Sequence, residues 1–232
     1  QMPRAVGLAF ASKCFREAQQ KNEAEHTSLS NQGNEICFCT IGDASTSEGH
    51  FWESMNAAAV LQVPLAVFVW DDGYGISVPN ELQTTKGNIS DVLSGFQRTE
   101  TQKGYEIIKV KGWDYIGLID AYQRATDICR NEHVPVLIHV TEITQPNGHS
   151  TSGSHQRYKS KERLKWEVEF DCINKFKEWI LTFDVDGVSF GKPGTPEIAR
   201  TRARAISGRS GLLHTGHCII DTEKGIEIAD RV

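Results

Sequence analysis

Carboxylates follow two apolar segments of the chain, at the points where predicted strands end. Asp43 follows the apolar residues 36–41 by one glycine, and Asp72 follows the apolar residues 65–70 by one further aspartate. Because neighbouring parallel strands end at the same edge of a sheet, both carboxylates are expected at that edge. Such oxygen ligands suit a hard cation such as Mg²⁺ held against a diphosphate. Asp43 could instead be only a helix cap, and residues 71–73 only a solvated turn.

A turn of small residues connects Asp43 to a predicted helix that ends near residue 61. Thr46 or Ser47 is expected to cap this helix, and Glu48 lies in its first turn. Free backbone N–H groups at a helix start hold phosphate oxygens. The turn is therefore a candidate diphosphate site, although a simple capping turn would explain the same residues.

Composition excludes several classes of protein. The 232 residues, 39% of them hydrophobic, allow one substantial core. A net charge of −5 and a pI near 5.9 argue against a nucleic-acid or anionic-membrane binder. The apolar segments fall short of the roughly 20 residues that span a bilayer. Gln1 opens directly into helical sequence, so no signal peptide is expected.

The six cysteines show neither a C-x-x-C nor a zinc spacing. A reducing compartment is therefore expected. Cys37 and Cys39 belong to the apolar segment that precedes Asp43, and we expect both to be small apolar residues of a buried strand rather than reactive thiols.

Strand and helix patterns alternate along the chain. This order predicts an α/β fold, a doubly wound and mainly parallel sheet with helices on both faces. An apolar segment that is nearly continuous, as at 134–140, is typical of a buried parallel strand. The predicted strands cover 35–41, 65–70, 105–110 and 134–140, and the predicted helices cover 3–20, 47–61, 114–130 with Asp114 as cap, and 161–181.

Four further segments are less regular. Residues 21–34 are polar and predict a surface loop. Residues 78–103 are irregular, with a short helical candidate at 89–96, and serve either as a substrate-side element or as a plain connector. Residues 145–158 are too rich in Gly, Ser, Thr and His for a core. Residues 182–232 show no clear period.

Two runs resemble one known family. GDASTSEGHFWESMNAAAVLQVPLAVFVWDDGYGISVP resembles the thiamine diphosphate motif of the α subunit of 2-oxo acid dehydrogenase E1 components. GHSTSGSHQRYKSKE resembles the second active-site loop of that family. The resemblance is collinear over residues 1–181, which implies a thiamine diphosphate-binding domain there and leaves 182–232 as an unassigned C-terminal tail.

The resemblance implies roles for individual residues. Mg²⁺ would be held by the side chains of Asp43 and Asp72 and by the backbone carbonyl of Tyr74. His149 matches the family's active-site histidine, which lies near the diphosphate and the reacting carbon. Thiamine diphosphate would be bound by Gly42, Asp43, Ala44, Ser45, Glu48, Gly49, Asp72, Tyr74, Gly75, Ile76 and His149.

Other residues of the second run also match the family. Arg157 and Tyr158 match an Arg-Tyr pair that orders this loop. Ser150 occupies a position that regulated mitochondrial members phosphorylate, and added charge there would oppose diphosphate binding.

The chain departs from the family pattern at three positions. Ala44 replaces a glycine, Asp72 replaces an asparagine, and Gln145 replaces an arginine that neutralises the diphosphate. The last two changes make the site about two charges more negative. Either other cations compensate for this charge, for instance from a partner, or cofactor affinity is reduced.

The resemblance implies the α part of a 2-oxo acid dehydrogenase, either a separate chain or a piece of a fused α-β chain. The assembled enzyme would decarboxylate a 2-oxo acid, with branched-chain acids favoured over pyruvate, and transfer the acyl group to the lipoyl domain of the E2 acyltransferase. The activating glutamate would come from an E1 β subunit or domain in an α2β2-type assembly. The expected location is the bacterial cytoplasm, or the mitochondrial matrix in a eukaryote.

Two other functions fit parts of the sequence. A transketolase-like enzyme would share the cofactor motif, although the GHSTS loop argues against it. A non-catalytic or truncated subunit that has lost cofactor binding would explain the three departures and the unmatched tail.

Overall fold

A computed structural model of the chain describes residues 1–21, 28–150, 152–180, 183–185, 188–190, 201 and 212–213. The chain divides into two compact units, Gln1–Asp171 and Cys172–Val232. The domain boundary expected near residue 181 stays a prediction, and most of the tail lies outside the described residues. No helix in the described part of the chain is long and apolar enough to cross a membrane.

The first unit is an α/β unit. Its strands are β1 Cys37–Gly42, β2 Leu65–Trp70, β3 Tyr74–Gly75, β4 Val78–Pro79, β5 Glu106–Lys111 and β6 Val136–Thr141, and its α-helices are α1 Met2–Gln20, α2 Gly49–Leu61, α3 Ile89–Val92, α4 Tyr115–Asp127, α5 His155–Tyr158 and α6 Lys161–Glu169. Short 3-10 helices cover Ala44–Ser47, Asn80–Leu82, Thr85–Gly87 and Leu93–Phe96, and a π-helical turn covers Ile128–Glu132.

Four parallel strands form the central sheet, in the order β1-β2-β6-β5. Gly42 pairs with Trp70, and Trp70 pairs with Val140. Strands β1, β2 and β6 therefore end at one level, and the residues that follow them leave the sheet at the same edge. This is the edge at which the sequence predicts the carboxylates.

The two faces of the sheet are covered by different helices. Val67 of β2 packs in a core with Phe51 and Met55 of α2, and that core also takes in residues of α1 and α3. Phe68 of β2 packs in a second core with Ala125 of α4. The β1-to-β2 and β5-to-β6 crossovers run in opposite directions along the sheet, so two crossovers of the same hand place their helices on opposite faces. The predicted doubly wound, mainly parallel α/β fold is confirmed.

Strand β1 lies at an edge of the sheet and is less buried than expected. Cys39 is buried in the first core, as expected of a small apolar residue, whereas Cys37 is only partly buried. Phe38 is 55% exposed although it contacts Phe68 with a ring separation of 5.6 Å. The prediction of a strand buried throughout is wrong here because no further strand pairs with β1 in the described chain.

The predicted helix over 161–181 is two helices. Ser160 caps α6, since its hydroxyl accepts the backbone N–H of Arg163, and α6 ends at Glu169. The ring of Phe170 stacks on Trp166 at 5.5 Å and contacts Trp113 at 5.0 Å. These contacts hold Phe170 outside helical geometry, and periodicity alone does not reveal them.

The second unit begins with α7 Cys172–Ile180. It also contains an antiparallel sheet of three short strands, β7 Phe183–Val185, β8 Val188–Phe190 and β9 Leu212–Leu213, in the order β8-β7-β9.

Candidate functional site

Asp43 is the first residue after β1, and it is only 5% exposed. Its backbone N–H donates to the carbonyl of Trp70, at 3.1 Å, so the register of the sheet fixes its position beside the end of β2. The Oδ2 atom of its carboxylate is buried and has no hydrogen-bond partner among the described residues. An unpaired buried carboxylate oxygen is costly unless a charged ligand meets it. Asp43 is therefore well placed to hold a cation.

The turn after Asp43 differs from the predicted capping turn. Ala44–Ser47 forms a 3-10 helix, and α2 begins at Gly49 with Glu48 as its N-cap residue. The prediction that Thr46 or its neighbour caps the helix is wrong. The hydroxyl of Thr46 instead donates to the carbonyl of Asp43, at 2.6 Å, and this bond closes the turn.

Most predicted cofactor contacts of this turn lie on its exposed surface. Ala44, which replaces the family's glycine, is partly buried against the backbone at Gly75. A Cβ atom at Gly75 would come within 2.8 Å of the Cβ of Ala44 and 2.3 Å of the Gln83 amide. Glycine at 75 is thus the residue that accommodates alanine at 44. The predicted cofactor contacts that are exposed here are Gly42, Ser45, Glu48 and Gly49.

Ile76 has an unusual backbone conformation. It lies in the tight connection between β3 and β4 with φ +60°, and it is 62% exposed. A β-branched residue rarely adopts a positive φ, and such strain is found mainly at functional sites. The hairpin therefore presents an apolar side chain at some cost in backbone energy.

Asp71 is buried and accepts three hydrogen bonds. Nε2 of His139 donates to its Oδ2 at 2.7 Å, and the Asn80 amide and the backbone N–H of Gly73 donate to its Oδ1 at 2.9 and 2.8 Å. Burial alone would raise the pKa of Asp71, but these donors, with His139 foremost, lower it below its ordinary value. Asp71 is therefore held as a carboxylate by the protein itself.

Asp72 and Tyr74 form the other half of the predicted metal site. The backbone N–H of Tyr74 donates to Oδ1 of Asp72 at 3.2 Å, and the guanidinium of Arg163 donates to the backbone carbonyl of Asp72 at 2.6 Å. Burial raises the pKa of Asp72, while the Tyr74 amide, Lys159 and Arg163 oppose that rise. Two cations thus lie near the additional negative charge of Asp72.

The three carboxylates influence one another. Burial, followed by repulsion from Asp71 and then from Asp72, raises the pKa of Asp43 to about 7. No three His, Cys, Asp or Glu side chains are grouped as a metal site in the described chain. A cation at Asp43 would therefore need ligands besides carboxylates, such as backbone carbonyls.

A buried ion pair lies next to the turn that contains Asp72 and Tyr74. The ammonium of Lys159 contacts the carboxylate of Glu167 at 2.7 and 3.0 Å, and Arg163 joins it at 2.9 Å. The Lys159 and Glu167 side chains are 1% and 0% exposed. Lys159 and Arg163 also lie over the ring of Tyr74, at 5.1 and 5.5 Å from its centre. The cluster carries a net positive charge next to Asp72.

The loop that contains His149 reaches the same turn through Tyr158. The rings of Tyr158 and Tyr74 are 5.8 Å apart. Burial, followed by repulsion from Asp72, raises the pKa of Tyr158, and a hydrogen bond from the backbone N–H of His149 lowers it. The side chain of His149 is exposed. The structure thus brings the second predicted motif next to the first.

The neighbours of His149 differ in burial. Gly148 has φ +70° and packs against the ring of His155, which is buried. The hydroxyl of Ser150 is exposed and bonds that of Ser152 at 2.8 Å. Arg157, predicted to order the loop, is exposed on α5.

The buried polar residues behind these turns were not predicted from the sequence. His139 lies in an otherwise apolar strand and is fully buried, and Lys159, Arg163 and Glu167 belong to a segment with an ordinary charged pattern. A single histidine within an apolar strand was the one available signal, because a buried polar side chain needs a partner. Nothing in the pattern identified the other three.

Comparison with known proteins assigns the family. The family model described as "Dehydrogenase E1 component" matches residues 1–186. The chain therefore belongs to the dehydrogenase E1 component family.

The chain is similar to 2-oxoisovalerate dehydrogenase subunit alpha 2 of Arabidopsis thaliana, with 29% identity over 78% of this chain and 33% of that protein. It is also similar to the pyruvate dehydrogenase E1 component subunit alpha of Rickettsia bellii, with 26% identity over 78% of this chain and 48% of that protein. The chain thus spans a third to a half of these relatives. Transketolase from Campylobacter jejuni matches with a TM-score of 0.47 and 20% identity, over 74% of this chain and 25% of that one.

Replacing Asp43 by asparagine tests the electrostatics of the cation-free site. The pKa of Asp43 rises from 3.8 to about 7 on folding, so the folded chain binds the proton more tightly than the unfolded chain. Ionising Asp43 should therefore destabilise the fold as pH rises from about 4 to about 7, by up to ~1.4 kcal/mol per pH unit. Urea unfolding in EDTA should show Asp43→Asn gaining stability over the original chain across this range, with a constant difference above pH 7.

The control is Asp120→Asn, at an exposed position on α4. This variant should follow the original chain at every pH. A stability difference for Asp43→Asn that does not change with pH would contradict the account.

Replacing Glu167 by glutamine tests the buried ion pair. The change leaves Lys159 buried without its carboxylate, and breaking a buried pair in this way costs about 3–5 kcal/mol. Glu169→Gln is the matched control, since Glu169 is exposed on the same helix, and it should stay within about 0.5 kcal/mol of the original chain. Equal free energies of unfolding for the two variants would show that the pair contributes no stability.

Proposed function

We propose that this chain is the α part of a thiamine diphosphate-dependent 2-oxo acid dehydrogenase. The observation that carries the proposal is the buried, unpartnered Oδ2 of Asp43 at the carboxyl edge of the sheet. Family membership supports it independently, because the matched relatives include alpha subunits of 2-oxoisovalerate and pyruvate dehydrogenases.

Asp43, Asp72 and the backbone carbonyl of Tyr74 would hold Mg²⁺. A cation at Asp43 would meet the orphaned oxygen and offset the repulsion from Asp71 and Asp72 that raises its pKa. Two carboxylates and a carbonyl are oxygen donors, as Mg²⁺ prefers, and diphosphate oxygens and water would complete the shell. The residues present therefore fit the cation.

The turn that follows Asp43 would hold the diphosphate. Ala44 and Ser45 lie in its 3-10 helix, Glu48 and Gly49 lie at the start of α2, and Gly42 ends β1 just before it. Backbone N–H groups and the helix dipole at the start of α2 favour an anion.

The β3-β4 hairpin would contact the rest of the cofactor. The close approach at Gly75 and the strained, exposed Ile76 are features that the fold alone does not require, and a bound ligand would account for both. Tyr74 would be fixed here by the cations that lie over its ring.

Lys159 and Arg163 would compensate for the family arginine that Gln145 replaces. Their cluster with Glu167 carries one net positive charge and opposes the raised pKa of Asp72. On this proposal, part of the compensation would come from the chain itself. It offsets about one of the two additional negative charges.

Bound thiamine diphosphate would supply the nucleophilic carbon that attacks the 2-oxo group and accepts the electrons left when CO₂ departs. His149 would donate a hydrogen bond to negative charge that develops on the substrate. Its backbone N–H bond to Tyr158 would fix its loop beside the Asp72 turn.

The assembled enzyme would need partners and would act on a small 2-oxo acid. An E1 β subunit or domain would supply the activating glutamate in an α2β2-type assembly, and the lipoyl domain of an E2 acyltransferase would take the acyl group. Branched-chain acids are the favoured substrates and pyruvate the next. Such an assembly would work in a bacterial cytoplasm or a mitochondrial matrix, and phosphorylation of the exposed Ser150 would weaken diphosphate binding.

The test is a calorimetric titration of thiamine diphosphate into the assembly purified through this chain, with and without Mg²⁺. Binding should depend on Mg²⁺, and Asp43→Ala should weaken it by at least about 100-fold, since loss of an outer-shell partner alone costs about 10–100-fold. Asp120→Ala is the control for an aspartate away from the site.

The same preparations should be assayed for decarboxylation of 2-oxoisovalerate, pyruvate and 2-oxoglutarate. We expect turnover that Asp43→Ala removes, with 2-oxoisovalerate preferred. An assembly with an intact β partner that neither binds the cofactor nor turns over any acid would establish the non-catalytic alternative.

A further inference from the structure

His139 lies at the centre of a buried hydrogen-bonded chain behind the site. Its Nε2 donates to Oδ2 of Asp71 at 2.7 Å, and its Nδ1 is hydrogen-bonded to the hydroxyl of Ser90. A neutral imidazole with its proton on Nε2 satisfies both bonds. His139 is 0% exposed, Ser90 2% and Asp71 8%. These hydrogen bonds connect α3, β6 and the end of β2.

The same three residue types form the catalytic triad of hydrolases. Here the serine hydroxyl is buried and donates to the imidazole, so a substrate could not reach it. The arrangement is therefore not a nucleophilic site.

The position of Asp71 gives this hydrogen-bonded network a different role. Its Oδ1 accepts the backbone N–H of Gly73 and the amide of Asn80, and the backbone N–H of Asn80 donates to the carbonyl of Gly73 at 3.1 Å. Asp71 therefore closes the turn that presents Asp72 and Tyr74. The Asp71 carboxylate thus bonds both Gly73 and Asn80, whose backbones also bond each other.

His139 is the side chain that fixes this carboxylate from the sheet. Its backbone is held by pairing with Val69 on one side and Lys109 on the other. The other two donors to Asp71 belong to the turn and to the loop after it, and so they move with the turn. Only His139 connects Asp71 to the rigid part of the fold through a side chain among the described residues.

We infer that His139 is a positioning residue for the metal-binding turn, and that Ser90 couples this turn to the segment 78–103. The inference rests on the proposed function, which makes Asp72 and Tyr74 cation ligands. It also assigns a role to the irregular segment 78–103, because Asn80 and Ser90 are its two contacts with the network. That segment is thus part of the support for the site rather than a plain connector.

The hydrogen bond between His139 and Asp71 can be tested by exchanging its donor and its acceptor. His139→Glu alone would place two carboxylates together in the core. In the double variant His139→Glu with Asp71→Asn, the new amide would donate to the new carboxylate. Its oxygen would keep the bonds from Gly73 and Asn80, and Ser90 would still have an acceptor.

Two readouts follow for His139→Gln, His139→Glu and the double variant in the purified assembly. The first is amide hydrogen exchange of residues 71–80 without cofactor, and the second is the calorimetric Kd for thiamine diphosphate with Mg²⁺. Leu137→Ala is the control, because Leu137 is fully buried on the same face of the same strand but its side chain takes no part in the hydrogen-bonded network. It reports the effect of lost stability alone.

We expect His139→Gln to speed exchange at residues 71–80 and to weaken cofactor binding about 10–100-fold, as for other outer-shell partners. His139→Glu should be worse on both measures, and the double variant should recover most of the loss. Leu137→Ala should lower the melting temperature at least as much, yet leave Kd within about twofold.

Several results would overturn the inference. Unchanged exchange at residues 71–80 in His139→Gln would do so, as would a loss of cofactor affinity no greater than that of Leu137→Ala, or a double variant no better than His139→Glu. The original chain separates this outcome from failure of the proposed function. If it binds no cofactor while His139→Gln still speeds exchange at residues 71–80, the proposed function fails and the turn-positioning role stands.

Discussion

Three carboxylates meet at one edge of a parallel sheet, and the arrangement around them depends on how their mutual repulsion is offset. The register that aligns the ends of β1, β2 and β6 brings Asp43 and Asp71 to one level, and Asp72 follows directly. Buried like charges raise each other's pKa and cost free energy unless partners stabilise them. The three carboxylates differ in the partners that the structure gives them.

Asp71 receives donors from the protein, with His139 foremost. Asp72 lies beside Lys159 and Arg163, whose own charges are held in place by the fully buried Glu167. Of these three carboxylates, only that of Asp43 keeps a buried oxygen without a partner among the described residues. Under the proposed function, the fold satisfies two of the three neighbouring carboxylates and leaves the third for an external cation, at the edge of the sheet where the turn Ala44–Ser47 begins.

The sequence predicts the parts of this arrangement that depend on local pattern. Alternating strands and helices predict a doubly wound parallel sheet and place Asp43 and Asp72 at one edge, because strand ends and glycine turns are local signals. The pattern does not predict which donors reach Asp71, since His139 is 68 residues away along the chain. The break after Glu169 escapes prediction for the same reason, because it depends on the contact of Phe170 with Trp113. The shape of the Thr46 turn fails for a different reason: one hydroxyl can cap a helix or bond a preceding carbonyl, and spacing does not distinguish the two.

The central claim is that Asp43 is a cation ligand. The most direct measurement is anomalous X-ray diffraction from crystals of the assembly grown with Mn²⁺ in place of Mg²⁺ and with thiamine diphosphate. We expect an anomalous peak within coordination distance of Oδ2 of Asp43, of the Asp72 carboxylate and of the backbone carbonyl of Tyr74. Two results would contradict this expectation. One is a bound cofactor whose cation lies away from Asp43, and the other is an assembly with its full complement of β partner but no cation at this edge of the sheet.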